Sequence, residues 1–149
     1  MYSQNTYKGR YKVNNPLKYT GDHTNVIYRS FWEFKFMKYC DLSPTVLEWG
    51  SEEVVIPYLS PVDGKVHRYF VDFYMKVQEQ SGKISRYLIE IKPFKFTQPP
   101  TQPKRKTQQY INEVFQYGVN QAKWKYATAF CQERGWKFEI ITEKELGLD

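Results

Sequence analysis

The sequence contains few of the residues from which zinc sites and disulfide frameworks are built. It has two cysteines, Cys40 and Cys131, and two histidines, His23 and His67, in 149 residues. A structural zinc ion takes four such ligands, usually in closely spaced pairs, and these residues are too few and too scattered for that. The cysteines form no C-x-x-C pair, so we expect free thiols in a reducing compartment.

Long apolar runs are missing as well. The N-terminal segment MYSQNTYKGRYKVNN is polar and basic, and it lacks the apolar centre of a signal peptide. No stretch approaches the roughly 20 apolar residues that a membrane-spanning helix needs. We therefore expect no membrane partner and a protein that is soluble and intracellular when made.

Aromatic residues and positive charge are abundant. The chain has an aromatic content of 18% and a formal net charge of +6. Much of the aromatic content must fill the core of a single domain, because large rings bury the most area. The basic excess favours a polyanionic partner, and nucleic acid is the commonest, although a merely soluble basic protein has the same charge.

The first part of the chain shows no clear hydrophobic period. Residues 1–25 predict an irregular basic N-terminal arm that becomes ordered on binding, and residues 26–149 predict a single domain. The positive charges of the arm would suit a phosphate backbone; they are Lys8, Arg10, Lys12 and Lys18. A largely buried helix is predicted over residues 26–39, with Thr24 or Asn25 as its N-cap.

Strands and a second helix are predicted in the remainder. The predicted strands cover residues 53–58, 66–77, 84–92 and 137–141, with turns at Asp63-Gly64 and around Ser81. A proline-rich loop at 93–106 precedes a helix over 107–134, for which Gly135 is a fitting C-cap. This order predicts an α/β (α+β) fold with helices on a central mixed sheet, in which the last strand returns parallel to an earlier one.

Two charged residues of the third predicted strand share a face. Glu90 and Lys92 are two residues apart, and strand side chains alternate, so Ile91 points the other way into a core. Leu88 has the same parity as Glu90, so this face is not uniformly polar. A solvated sheet edge is the alternative to a functional pair.

Asp72 is expected to lie opposite Glu90. If the hairpin is centred near Ser81, residue numbers of paired positions sum to about 162, and opposed Cβ atoms lie about 5 Å apart. Two carboxylates at that separation repel each other unless a cation lies between them, and Mg²⁺ prefers such oxygen ligands. From spacing alone, a carboxylate on the open side of a half-exposed sheet is favoured over a functional site.

Four segments in this order resemble the PD-(D/E)xK nuclease superfamily: YRSFWE at 28–33, IPY at 56–58, RYFVDF at 68–73 and LIEIKP at 88–93. More narrowly, the sequence is similar to the N-terminal catalytic domain of TnsA-type transposon endonucleases and to the head-completion nucleases of T-even-type phages. The resemblance extends from Tyr28 to Leu146. It departs from the superfamily motif at Val71, where the motif has proline. It implies a restriction-endonuclease-like core and DNA cleavage that depends on Mg²⁺, for which Mn²⁺ would substitute.

The resemblance also implies a role for each site residue. Glu33 would complete the metal site from a helix, Asp72 would be the central ligand, and Glu90 would be the second strand ligand. The carbonyl of Ile91 would coordinate beside them. Lys92 would orient or activate the attacking water and stabilise charge on the phosphate. The residues leave open whether one or two metal ions bind, and whether Lys92 acts as a base or as a charge.

Further basic and polar residues are candidates for DNA contacts. Arg29 either touches phosphate or supports the helix, and the run Lys104, Arg105 and Lys106 is either a phosphate contact or a solvated stretch. Gln109 and Gln116 either approach the site from the long helix or lie on its ordinary surface.

Three functions remain in view. The first is a phage head-completion endonuclease that acts on packaged DNA in the host cytoplasm and associates with the virion, with capsid or portal proteins as partners and a homodimer as the form that cuts both strands. The second is a structural completion protein that only binds DNA, for which we would expect a damaged site. The third is a transposase-type or junction-resolving nuclease.

Overall fold

A mixed sheet of four strands forms the centre of the computed structural model, which describes residues 7–147. The strands are β1 (Gly9–Arg10), β2 (Ile27–Tyr28), β3 (Val46–Ser51), β4 (Val55–Leu59), β5 (Val66–Phe70), β6 (Phe73–Gln78), β7 (Ile84–Ile91) and β8 (Lys137–Ile141). The helices are α1 (Phe31–Leu42), α2 (Gln108–Arg134) and α3 (Glu143–Leu146). The central order is β3-β6-β7-β8, antiparallel except for the parallel pair β7–β8. The predicted α/β (α+β) class, with a restriction-endonuclease-like mixed sheet flanked by helices, is confirmed.

The two long helices cover opposite faces of this sheet. Phe36, Met37 and Cys40 of α1 belong to one core, together with Ile89 and Ile91 of β7. On the other side, a second core joins Trp124, Ala127 and Cys131 of α2 to Leu88 of β7 and to the inner side of β4 and β5. Both cysteines are buried free thiols. Strand β7 therefore alternates between two cores, as its sequence predicts.

The hairpin register was predicted correctly. In the β6–β7 pair, Phe73 lies opposite Ile89 and Tyr74 lies opposite Leu88, so paired numbers sum to 162. The turn contains Gly82 at φ +89°, a conformation that favours glycine. This register directs the segment just before β6 towards Glu90.

The single strand predicted over residues 66–77 is instead two strands in different sheets. β5 pairs with β4, whereas β6 pairs with β3 and β7. Between them, Val71 donates its N–H to the Val54 carbonyl, and the Asp72 carbonyl accepts from Glu52 N–H. The run of Val, Tyr and Phe residues does not indicate this break, because the break depends on which strands pair with β5 and with β6. The strand predicted at 53–58 is accordingly the shorter β4.

Strand β3 was not predicted. Its residues include Glu48 and Gly50, which are poor strand formers, and the side chains of Val46 and Trp49 are fully buried. Pairing with β6 along most of its length stabilises the strand despite this composition. Long-range pairing thus overrides local preference here.

Helix α1 begins later than the predicted 26–39 range. Its N-cap is Ser30, whose Oγ accepts from the Glu33 N–H at 3.1 Å, rather than Thr24 or Asn25. Residues Ile27–Tyr28 instead pair with Gly9–Arg10 as β2 and β1. Serine, threonine and asparagine are all good caps, so local sequence does not separate the three positions.

The predicted N-terminal arm is mostly part of the folded core. From residue 7 onward it is described, and Tyr11, Val13 and Tyr19 are buried against α1 and β3. Tyr11 donates its hydroxyl to the fully buried Asp41 at 2.7 Å. Because the segment is mostly polar, its composition did not indicate that a few of its side chains are buried. Residues 1–6 of the predicted arm lie outside the described residues, as do 148–149.

The predicted C-terminal half agrees well with the structure. Thr107 caps α2, and Gly135 ends it at φ +69° in the left-handed region. Thr142 and Glu145 form a capping box at the start of α3. Within residues 7–147, no helix combines the length and hydropathy that crossing a membrane requires.

Candidate active site

The switch between sheets places Asp72 at the end of β7. Its Oδ2 accepts a hydrogen bond from the backbone N–H of Ile91 at 2.8 Å. Because β6 and β7 pair in the predicted register, this bond brings the carboxylate beside Glu90. The break in the strand frees Asp72 from ladder pairing and directs its side chain along the sheet edge.

Glu90 is held on both of its oxygens. Its side chain is buried, its Oε1 accepts from the phenol of Tyr69, and its Oε2 lies 3.3 Å from Lys92 Nζ. Glu90 and Lys92 therefore share a face as predicted, whereas the Ile91 side chain is buried in the core on the α1 side. A buried carboxylate with a lysine and a phenol is a built arrangement rather than a solvated sheet edge.

Glu33 reaches the same region from the first turn of α1. Its Oε1 accepts from the backbone N–H of Arg29 at 3.1 Å. The Arg29 guanidinium pairs with the carboxylate of Glu52, a residue in the left-handed region at φ +56°. Arg29, predicted as a DNA contact or a helix support, thus bridges the Glu33 turn and the end of β3.

The charges of Asp72, Glu90 and Glu33 interact with one another. Burial raises the pKa of Asp72 well above its usual value, and the neighbouring Glu90 and Glu33 raise it further, against the Ile91 N–H and Lys92. Burial also raises the pKa of Glu33, opposed by the Arg29 N–H and charge. Concentrated negative charge with this little compensation destabilises the ionised cluster unless a cation approaches.

The donor set suits a hard divalent cation. Three carboxylates and the Ile91 carbonyl offer only oxygen, which Mg²⁺ and Mn²⁺ prefer. As the side chains stand, no three acidic, histidine or cysteine side chains of residues 7–147 are close enough to enclose an ion. Hydrogen bonds from Ile91, Tyr69 and Arg29 each hold one carboxylate oxygen. The three carboxylates raise the oxygen-donor content of this region, and this donor chemistry fits such an ion.

Two residues near Glu90, Tyr69 and Lys123, were not predicted from the sequence. Tyr69 donates to Glu90, and Lys123 of α2 places its Nζ 5.4 Å from the centre of the Tyr69 ring and 5.9 Å from that of Tyr58. Burial lowers the pKa of Lys123, while the nearby Glu90 acts in the opposite direction. No spacing in the sequence relates these residues, because only the packing of α2 on β4 and β5 joins them.

The remaining candidates lie further along the chain. Lys104, Arg105 and Lys106 are exposed just before α2. Gln109 and Gln116 line a cavity between α2 and the proline-rich loop. His67 is an exposed residue of β5, and its Nε2 lies 2.7 Å from Asp63 Oδ2. It does not belong to the acid cluster.

Comparison with known proteins identifies the family of this chain. A family model described as the TnsA-like endonuclease N-terminal domain matches residues 43–143. The chain is also 42% identical over 144 residues to the head completion nuclease of Enterobacteria phage T4, covering 94% of this chain and 93% of that protein. Both matches span the strands that carry Asp72, Glu90 and Lys92. The chain therefore belongs to the TnsA-like endonuclease family.

Proposed function

We propose that this protein is a metal-dependent DNA endonuclease that hydrolyses phosphodiester bonds during the completion of phage heads. Membership in an endonuclease family and similarity to the T4 head completion nuclease support the activity and its context. The observation that carries the proposal is the grouping of Asp72 and Glu33 with the buried Glu90, to which Lys92 is ion-paired. A protein that only bound DNA would gain nothing from such a group of buried and half-buried like charges.

Asp72, Glu90 and Glu33, with the Ile91 carbonyl, would hold Mg²⁺ or Mn²⁺. When bound, the ion would polarise a phosphate oxygen and lower the pKa of the attacking water. The backbone N–H of Ile91 orients Asp72, and the phenol of Tyr69 orients Glu90. These hydrogen bonds restrict the two strand carboxylates before substrate arrives, which reduces the reorganisation that the reaction requires.

Lys92 would act on the reacting phosphate. Its ammonium is tethered 3.3 Å from Glu90, and its side chain is only partly exposed. From there it would orient the attacking water and stabilise the negative charge that develops on the nonbridging oxygens. Lys123, behind Tyr69, would add positive charge on the side of α2.

The basic surface would hold the DNA backbone near these residues. The net charge of +6 favours a polyanion, and the exposed run of Lys104, Arg105 and Lys106 precedes α2. Arg29, next to Glu33, would exchange its partner Glu52 for a phosphate. No DNA-reading motif was predicted from the sequence, so we expect weak sequence specificity.

The context follows from the T4 relative. We propose that the protein acts inside the infected cell, on heads under assembly, and that it associates with capsid or portal proteins there. Dimerisation would allow cleavage of both strands and is a further prediction. A transposase-type or junction-resolving activity is the rival that substrate preference would reveal.

Cleavage assays test the proposal. Supercoiled plasmid, linear duplex and branched DNA would be incubated with Mg²⁺ or Mn²⁺ and with wild type, Asp72→Ala or Lys92→Ala. Glu133→Ala and Lys83→Ala are matched controls, because both residues are exposed and lie away from the acid cluster. We expect wild type and controls to cut, and both site variants to be folded but inactive. Equal cleavage by the site variants, or no cleavage by wild type, would leave the structural completion role as the better account.

A further inference from the structure

A large groove lies between the proline-rich loop and the first half of α2. Its volume is about 1090 Å³. We call it the loop groove and define it by Phe94, Phe96, Gln109, Gln116, Tyr117 and Asn120. Its volume matches the upper end of typical small-molecule sites, about 1,000 Å³, so it accommodates more than one planar ring.

Both walls of the loop groove lie close along the chain to residues beside the acid cluster. Phe94 follows Lys92 by two residues, and two residues of extended chain span at most about 7 Å. On the opposite wall, Asn120 precedes Lys123 by one helical turn, and the charge of Lys123 is felt by the acid cluster. A strand of DNA whose phosphate sits at Lys92 would therefore have neighbouring nucleotides at the groove.

Aromatic rings and ammonium groups are combined on the loop wall. Phe94 and Phe96 are 37% and 39% exposed, and both rings line the groove. Lys144 Nζ lies 3.7 Å from the ring centre of Phe94, and Lys95 Nζ lies 5.0 Å from that of Phe96. Rings for stacking beside cations for phosphates are the chemistry by which proteins bind single strands.

Amide side chains occupy the helix wall. Gln109, Gln116 and Asn120 recur with helical spacing along one side of α2, and Gln116 Nε2 donates to Asn120 Oδ1 at 2.9 Å. Over these positions the helix rises about 16 Å. Amides present both donors and acceptors, which match the edges of unpaired bases.

We propose that the loop groove binds unstacked nucleotides of a DNA single strand that enters the active site. This inference rests on the proposed nuclease function and deepens it, because it assigns a substrate form: DNA with a single-stranded segment next to the cut. The bases lie between the rings of Phe94 and Phe96 and the amides of α2, and the lysines neutralise the phosphates. A preformed wall suits this role, since Phe94 is fixed by the hydrogen bond from its N–H to Glu143 at 2.8 Å.

Binding to base-bearing and base-free strands tests the groove directly. A labelled dT12 oligonucleotide and an abasic strand of the same length would be titrated with Ca²⁺ in place of Mg²⁺, using fluorescence anisotropy. We expect wild type to bind dT12 about tenfold or more tightly than the abasic strand, because each stacked base contributes about 1–3 kcal/mol. The double variant Phe94→Ala/Phe96→Ala should lose that difference. Phe115→Ala, an exposed ring of α2 outside the groove, is the matched control and should keep it.

Equal affinity of wild type for the two strands would overturn the inference, as would a double variant that binds like Phe115→Ala. Plasmid cleavage, measured in parallel, separates this result from the proposed function. Cleavage without base-dependent binding leaves the nuclease and removes the groove. Base-dependent binding without cleavage of any DNA leaves the groove as a single-strand site and removes the nuclease.

Discussion

Two aspartates of this protein, Asp41 and Asp72, have opposite kinds of surroundings. Asp41, at the end of α1, is fully buried and accepts from the Tyr11 hydroxyl and the backbone N–H groups of Asn14 and Asn15, at 2.7 to 3.0 Å. Asp72 accepts from the Ile91 N–H, and the charges that act on it are those of Glu90, Glu33 and Lys92. The first pocket supplies several hydrogen-bond donors, whereas the second holds more negative than positive charge.

We expect this difference to distinguish a structural acid from a functional one. Hydrogen bonds to Asp41 attach the N-terminal segment to α1. At Asp72 the fold accepts a destabilising arrangement, and such a cost is typical of sites where a ligand restores the balance. The two pockets should therefore respond in opposite ways to the same Asp→Asn change.

Asp72→Asn should cause the largest loss of activity. We expect cleavage to fall by about 10³-fold or more, since the central carboxylate is removed, a loss at the upper end for single electrostatic groups. The free energy of unfolding should stay equal or increase, because like-charge repulsion decreases. Cleavage rates and urea denaturation measure the two quantities. A variant that is both active and destabilised would reverse the assignment of Asp72.

Lys92→Met should reduce cleavage by about 10²- to 10³-fold, because the change removes a charge aimed at the developing phosphate charge. Metal affinity should change little, since Lys92 donates no oxygen. Single-turnover rates and Mn²⁺ titration would show both effects. The exposed Lys83→Met serves as control. A loss of metal affinity equal to the loss of rate would instead give Lys92 a purely structural role.

Asp41→Asn should be the opposite of Asp72→Asn. We expect a loss of about 2–3 kcal/mol in the free energy of unfolding, because the amide leaves buried donors unsatisfied. Cleavage at a temperature where the variant stays folded should remain close to that of wild type. Denaturation midpoints and plasmid assays decide this, and strong loss of activity in a folded variant would join the two pockets functionally.

Tyr69→Phe should have a smaller effect of about tenfold on cleavage, because one hydrogen bond to Glu90 is lost while the ring remains. Tyr58→Phe alters a neighbouring phenol that also faces Lys123 and is the matched control. Metal titration of the rate should show weaker binding in the Tyr69 variant. Identical curves for the two variants would remove the positioning role.

The smallest expected effect is on the pH dependence of stability in chelator. The raised pKa of Asp72 means that the native state binds the proton more tightly than the unfolded state. This contribution is full below the ordinary value of 3.8 and is lost as pH rises through the raised pKa, so stability decreases with pH. Asp72→Asn should flatten that slope. Thermal denaturation from acid to neutral pH measures this.

Sequence alone predicted the parts of the site that depend on local geometry. Strand alternation put Glu90 and Lys92 on one face, and a tight turn at Gly82 fixed the register that directs Asp72 towards them. Glu33 and its role came from the resemblance. The roles of these residues remain predictions.

The parts that depend on tertiary packing were not predictable. Tyr69 and Lys123 meet only because α2 lies over β4 and β5. The division between β5 and β6 reflects different strand partners rather than any breaker residue. Likewise, the polar N-terminal segment gave no signal that Tyr11 inserts beside a buried Asp41.

The parallel pairing of β7 with β8 has a consequence for biosynthesis. Glu90 and Lys92 leave the ribosome well before residues 137–141. These later residues form β8, which pairs with the free edge of β7. The bond from Lys92 N–H to the Ile141 carbonyl, 2.9 Å long, cannot form until then. This edge of β7 therefore stays unpaired until translation has passed β8, so the alignment of Glu90 and Lys92 is completed only when the last strand has been made.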